Sequence, residues 1–555
     1  MVTSSGQERV TGAAPRRPVP GGHLATLVKL VAALLLLNVS LTFSNIWPTL
    51  GISLNADLSL ETAVCVLALL VARRRWDGPS AAGLRWLAGL WLVLVVGRYT
   101  DVTVTSLYGR NINLYWDLQH VPSVGAMFAV VADPWLKLGF VVGVLVGLAS
   151  LYLGARWAIA AVAAGTRVRG APRVLGALAA AVLLLSLAQT LGARLPLGVR
   201  VASPVATAYA RELGEYAYDL SGAGVRDLGP PPVLQSDLTR LGGADVFVIF
   251  LESYGAVAWR RPELAGPLVP AMARLTEDIA ETGRFVASAF VESTTFGGES
   301  WLAHVSLLSG TEIRDPATNV RLMAQERDTM VKLFGRGGYR TVAIMPGMLV
   351  PWPEGAFYGF EEIYDHDRLG YRGPQFGWWD INDQYALARV DALEIEPSRD
   401  QPAFVFFTTI STHAPFVPAP PYQPDWARVL TTNPYDADAL DRAWSAWPDW
   451  TNLAPSYLEA LEYAFHNVGG YLRLRADRNL VMVLVGDHQP PALVSGEGAS
   501  WDVPVHVIAN RPEVMDRLTR HHQFTDTLQP GDQAVAQMDT LLPILLDAFG
   551  DGGGP

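Results

Sequence analysis

The chain has 555 residues, half of them hydrophobic, with a mean hydropathy of +0.21. That is too long for one compact domain and too apolar for an ordinary soluble enzyme, so a membrane portion is expected. The net charge of −11 argues against nucleic acid as a main partner, and the single cysteine, Cys65, excludes an intrachain disulfide and a Cys-rich zinc site.

Residues 1–23 read as a cytoplasmic tail. Residues 24–194 hold five apolar segments, Leu24–Phe43, Leu54–Val71, Leu84–Val104, Leu136–Ala158 and Val174–Leu191. Each comes near the roughly 20 residues that cross a bilayer. The first lacks a small-x-small cleavage site and is followed by further spans, so it reads as a span rather than a removable signal peptide. Asn55, Asp57 and Glu61 crowd the start of the second. Arginines 9, 16 and 17 precede the first span, 73 to 75 follow the second, and 156, 167, 169 and 173 lie near the junction of the fourth and fifth. An odd number of spans puts all three clusters on one side, which is then cytoplasmic, and leaves the chain beyond Leu195 outside.

The connection from Arg98 to Val131 carries Arg110, Asn111, Asn113, Trp116, Asp117 and His120. It reads equally as an interfacial piece and as an amphipathic loop. Residues 195–243 read as a juxtamembrane linker, with helical spacing over Val201–Leu220 and a break at Gly229-Pro-Pro-Pro232.

From 244 to 555 apolar β-rich runs alternate with helical stretches. The strands predicted are Val246–Leu251, Phe285–Val291, Thr341–Ile344, Ala403–Thr409, Leu480–Val485 and Val503–Ile508. Fully apolar strands with intervening helices predict an α/β domain with a parallel or mostly parallel sheet, covered on both faces. Pro418–Trp450, rich in Pro, Asp and Trp, reads as an insertion near the active-site mouth.

Such sheets place their chemistry at strand ends. The run ending in Gly486 is followed by Asp487-His488, an oxygen and a nitrogen ligand suited to a divalent metal. Glu252 follows the strand Val246–Leu251 and can share that metal, although an acid there can also cap the next helix. After Phe285–Val291, Gly297 and Gly298 permit a tight turn and Ser300 opens a helix. A hydroxyl at that point meets unpaired N–H groups and the positive helix end, which favour an anionic substrate; the plain alternative is an N-cap. Thr294 and Thr295 are rival nucleophiles upstream. His413, in TTISTHAP, lies beyond another strand end and can protonate a leaving group or bind substrate oxygens. Trp352 and Glu354 are candidates to line a substrate pocket, with Trp378, Trp379 and Asp380 weaker ones of the same kind.

Together these pieces resemble the alkaline phosphatase superfamily in its sulfatase-like branch, and within it the membrane-anchored phosphotransferases of the lipoteichoic acid synthase type. FLESYG is similar to the family's opening strand and first metal ligand at Glu252. SWLAHVSLLSG is similar to the nucleophile segment, and the offset from Leu-Leu-Ser-Gly310 favours Ser300 over Thr294 or Thr295. Asp487-His488 resembles the late metal pair, STHAPF the substrate-binding histidine at His413, and Met538-Asp-Thr-Leu-Leu-Pro543 the last helix.

The resemblance implies five spans, a linker helix and an extracytoplasmic catalytic domain in a bacterial inner membrane, multi-pass, with the N-terminus cytoplasmic and the catalytic domain periplasmic. It implies one divalent cation, manganese first, with magnesium, zinc or calcium as others, held by Glu252, Ser300, Asp487 and His488. It further implies Ser300 as nucleophile, His413, Trp352 and Glu354 as substrate contacts, and a membrane lipid or envelope glycan or glycolipid as substrate. Two departures refine this. Leu302 and His304 stand where sulfatases carry Pro and Arg, which argues against formylglycine and for phosphoryl transfer. Glu354 stands where the synthases carry an Arg in Trp-x-Arg, which points to a donor other than phosphatidylglycerol. A sulfuric ester hydrolase of the same fold and an inactive envelope-binding protein are the alternatives. The sequence sets neither transferase against hydrolase nor the oligomeric state.

Overall fold

A computed structural model of the protein describes residues 21–46, 51–108, 134–192, 200–221, 228–349, 352, 354–377, 380–397, 401–449, 452–496 and 498–551. The chain divides into two compact units, one built mainly from the N-terminal helices and one holding the C-terminal domain.

The N-terminal helices are α1 (Gly21–Thr42), α2 (Leu60–Trp76), α3 (Ala81–Tyr108), α4 (Pro134–Gly165) and α5 (Ala171–Thr190). Helix α1 packs on α4, and α2 on α5. Among the described residues four helices, all but α2, are long and apolar enough to cross a membrane. The five expected spans are corrected on this point. The second does not run over Leu54–Val71; its helix starts at Leu60 and has 17 residues. The polar residues at its expected start decide this. Asn38 donates to the Asp57 carbonyl at 2.7 Å, and Ser59 caps the helix by accepting the Thr62 N–H at 3.1 Å. The linker helix α6 (Val205–Ser221) begins four residues later than its apolar spacing suggests, because Val201 bridges to Leu58 and Pro204 intervenes. Glu61 accepts the Val205 N–H at 2.6 Å. Of the Arg98–Val131 connection, residues 109–131 lie outside the described residues.

The C-terminal domain is built on an eight-stranded sheet of β1 (Asp245–Leu251), β2 (Phe285–Glu292), β3 (Arg340–Met345), β4 (Glu362–Asp365), β5 (Ala403–Thr408), β6 (Leu480–Gly486), β7 (Asp502–Ala509) and β8 (Ala534–Gln537). The spatial order is β8-β2-β7-β6-β1-β5-β3-β4. All neighbours run parallel except those of β7, which is antiparallel to both β2 and β6, so the sheet is mixed and mostly parallel. The edge strands β4 and β8, absent from the predicted set, have four residues each and are only partly buried, so they carry little apolar signal.

The pleat divides the core in two. In β1, Val246, Val248 and Phe250 enter one apolar cluster, and Phe247, Ile249 and Leu251 the other. Helices α7 (Pro262–Glu281), α9 (Asp383–Val390) and α10 (Ala454–Leu474) cover the second face. Helices α8 (Trp301–Ser309) and α11 (Leu541–Phe549) cover the first. In β1 and β6 the only acids stand at or just beyond the strand ends, while His506 and Ser288 in the middle of β7 and β2 are buried as a hydrogen-bonded pair.

Candidate active site

Strand register brings the acids together. Strands β1 and β6 pair with Leu251 opposite Gly486, so Glu252 and Asp487 leave the sheet side by side. Between them the chain turns tightly. Ser253 takes a left-handed φ of 58°, and its N–H donates to Asp487 Oδ1 at 2.8 Å. Gly486 is required here, since a Cβ on it would stand 1.9 Å from the Tyr254 carbonyl oxygen. On the other side of β1, Thr409 Oγ1 accepts the Glu252 N–H at 3.0 Å, tying the end of β5 to the same cluster.

Ser300 arrives from the loop that follows β2, a strand running in the same sense as β1 and β6. It stands directly before α8 with helical backbone angles and makes no side-chain cap. Its hydroxyl instead donates to Glu252 Oε2 at 2.6 Å and lies 3.2 Å from His488 Nε2. His488 Nε2 is 3.3 Å from Glu252 Oε1 and 3.8 Å from Asp487 Oδ1. Four residues from three separate stretches of chain therefore meet at one point, buried or nearly so.

The donor set fits a divalent metal. Glu252, Asp487 and His488 each present one ligand atom, all within 4.8 Å of one another. Asp487 Oδ2 is buried and has no hydrogen-bond partner among the described residues. His488 Nδ1 lies 2.7 Å from the Gln489 carbonyl, which fixes the proton there and leaves Nε2 as the ligand nitrogen. Electrostatics point the same way. Burial opposes ionisation of Glu252, but the adjacent His488 holds its carboxyl well below the usual range. Burial, then the Glu252 charge, drives Asp487 well above it. Burial lowers His488, and the two acids outweigh that and push it up to about 9. Such a cluster keeps protons that a bound cation displaces.

The remaining candidates fall around this point. Trp352 and Glu354 line a cavity of about 340 Å³ together with Trp301, the residue after Ser300. His304 also lines it. Burial lowers this imidazole to about 3, and it packs 4.4 Å from the Phe250 ring. The position is thus neutral. His413 lines a separate small cleft with Asn382 and with Pro418 at the start of the Pro418–Trp450 stretch, and its charge acts on Glu252. Thr294 and Thr295 are buried upstream. Thr295 Oγ1 donates to the Gly298 carbonyl at 2.6 Å, and Thr294 Oγ1 is buried with no hydrogen-bond partner among the described residues. Asp380 lies 3.3 Å from His366, and Trp378 and Trp379 lie outside the described residues. Sequence reasoning missed Thr409, Ser253, Ser293, whose hydroxyl bonds the Asp487 carbonyl, and Asp383. Only their nearness in sequence to strand or helix ends marked them.

The domain is thus a mostly parallel α/β sheet with a hydroxyl, two acids and an imidazole gathered beyond its strand ends. Residues 245–507 match the family model described as Sulfatase, which covers a little under half of the chain. Solved structures similar to the chain include the lipoteichoic acid synthase LtaP of Listeria monocytogenes, at 15% identity over 61% of this chain and 79% of that one, with a TM-score of 0.39. The lipooligosaccharide phosphoethanolamine transferase A of Neisseria meningitidis is similar at 12% identity over 94% and 95% of the two chains, with a TM-score of 0.43. The phosphoglycerol transferase GacH of Streptococcus pyogenes, solved with sn-glycerol-1-phosphate, is similar at 12% identity over 61% and 80%, with a TM-score of 0.34. No curated protein matches the chain.

Proposed function

We propose that this protein is a membrane-anchored, metal-dependent phosphoester transferase or hydrolase that acts on lipid-linked or cell-envelope substrates through Ser300. The observation that carries this is the Ser300 hydroxyl, which ignores its own helix and donates at 2.6 Å to Glu252 beside the orphaned oxygen of Asp487. Glu252, Asp487, His488 and the Ser300 oxygen would hold one divalent cation, manganese first, with magnesium, zinc or calcium as others. When bound, the cation lowers the pKa of the serine hydroxyl and offsets charge on the phosphoryl oxygens. Ser300 attacks phosphorus and the ester oxygen departs, leaving a phosphoserine that water or a second alcohol resolves.

The His413 ring is oriented by the neighbouring backbone, with Nδ1 2.8 Å from the Ala414 carbonyl, and its imidazole protonates the leaving oxygen or binds a phosphoryl oxygen. Trp352 and Glu354 receive the transferred group. A domain tethered by membrane spans on the extracytoplasmic side suits an envelope lipid or glycolipid as substrate. Phosphorus is favoured over sulfur because His304 is neutral and buried and Leu302 occupies the motif position of a sulfatase proline.

The test incubates full-length protein in detergent with radiolabelled total membrane lipids and follows headgroup release or transfer. Turnover is expected with the native chain and loss with Ser300→Ala and with Asp487→Ala; full activity in both variants overturns the proposal. Mass spectrometry of the Ser300 peptide separates the sulfatase alternative, since an unmodified serine is expected and formylglycine changes its mass.

A further inference from the structure

The loop that carries His413 is held by a residue from another part of the chain. Asp383 opens α9 and is 3% exposed. One carboxylate oxygen accepts the Ile410 N–H at 2.8 Å and the other the Ser411 N–H at 2.9 Å. In return, the Asp383 N–H donates to Ser411 Oγ at 3.3 Å. The turn these contacts start ends on His413, whose N–H donates to the Ile410 carbonyl at 3.0 Å. Just before it, Thr409 is bonded to the backbone of β1 and to the Glu252 N–H. The His413 loop is therefore pinned at successive residues, first to the metal-site strand and then to Asp383.

An acid at a helix start is ordinary when exposed to water, where it meets the helix dipole. A buried one is costly, because removing a carboxylate from water is repaid only by strong, well-aimed donors. Burial raises the Asp383 carboxyl to about 6, and the charge of Glu252 adds to the effect, which places it within electrostatic reach of the site.

We propose that Asp383 is a positioning residue: its carboxylate, bridging the Ile410 and Ser411 amides, sets where the His413 imidazole stands. The proposal rests on the role given to His413 above. Asparagine at this position keeps one acceptor and turns an NH₂ group toward the second amide, so the bridge is broken with little change of volume.

The experiment is a double-mutant cycle between Asp383→Asn and His413→Ala, on full-length protein with radiolabelled membrane lipids, alongside bound-metal content. Asp383→Asn is expected to lower kcat about tenfold in the native background and less than about twofold in the His413→Ala background, with metal content unchanged. A purely structural role predicts losses that multiply, and that result overturns the proposal, as does a loss confined to metal content. If His413→Ala alone keeps full activity, the reading of His413 fails instead. If Asp383→Asn does not fold, Ser411→Ala replaces it in the cycle. It removes one bond of the clamp and is expected to cost about two- to threefold only where His413 is present.

Discussion

The Ser300 hydroxyl and the Glu252 carboxylate lie 2.6 Å apart although 48 residues separate them. A serine at the start of a helix ordinarily turns its oxygen back onto the helix N–H groups. Here it faces an acid whose ionised form is stabilised by His488, which is the position the proposed function assigns to a nucleophile beside a cation.

Replacing Ser300 by alanine should remove this contact without disturbing α8, since the side chain caps nothing. Headgroup turnover is expected to fall by about 10³-fold or more, while the melting temperature changes little. Capture of a labelled phosphopeptide from the native chain, and not from Ser300→Ala, identifies the nucleophile and distinguishes it from Thr294 and Thr295.

Chelation should act on stability as well as activity. A cation bound by Glu252, Asp487 and His488 stabilises the folded state by about 2.7 kcal/mol when free metal is 100-fold above Kd. Removing it leaves two buried acids and an imidazole to share protons. Differential scanning calorimetry should show the melting temperature falling on chelation and returning on addition of manganese. Asp487→Asn should shrink that response.

Gly486→Ala tests the turn beneath the site. The new methyl would stand 1.9 Å from the Tyr254 carbonyl oxygen, a backbone atom that cannot swing aside. A destabilisation of about 2–3 kcal/mol is expected, read from denaturant unfolding. Metal affinity should weaken with it, because Glu252 and Asp487 flank the displaced turn.

An acid-side stability change should trace to Asp547. Its carboxylate receives two bonds from Arg517, both at 2.7 Å, and lies 2.6 Å from His522 Nε2. The Arg517 hydrogen bonds, with His522 assisting against burial, lower its pKa from 3.8 to about 2. A lowered folded-state pKa means the stabilisation is complete above pH 3.8 and is lost as pH falls through about 2. Asp547→Asn should therefore melt a few degrees lower than the native chain at neutral pH, and the two should converge toward pH 2. Parallel melts across that range check it.

Much of the site was readable as polar residues placed at the ends of apolar runs. Glu252 and Asp487 could be singled out because Val246–Leu251 and Leu480–Gly486 are apolar throughout, and each acid directly follows such a run. Asp383 could not, because an acid at a helix start is commonplace and its partners, the Ile410 and Ser411 amides, carry no side-chain signature. The edge strands β4 and β8 escaped because short, half-exposed strands lack an apolar run. The second apolar segment was misplaced because composition over Leu54–Val71 does not register that Asp57 and Ser59 have hydrogen-bond partners that start a helix at Leu60.

Periodicity and composition alone determine that the chain has an apolar helical portion and a buried-strand α/β domain, because hydrophobic burial reads residue type along the chain. Which strand lies beside which, and that Ser300 turns from its helix toward Glu252, only the folded chain decides. Register and side-chain direction depend on partners tens to hundreds of residues away, and local sequence does not encode the distance between them.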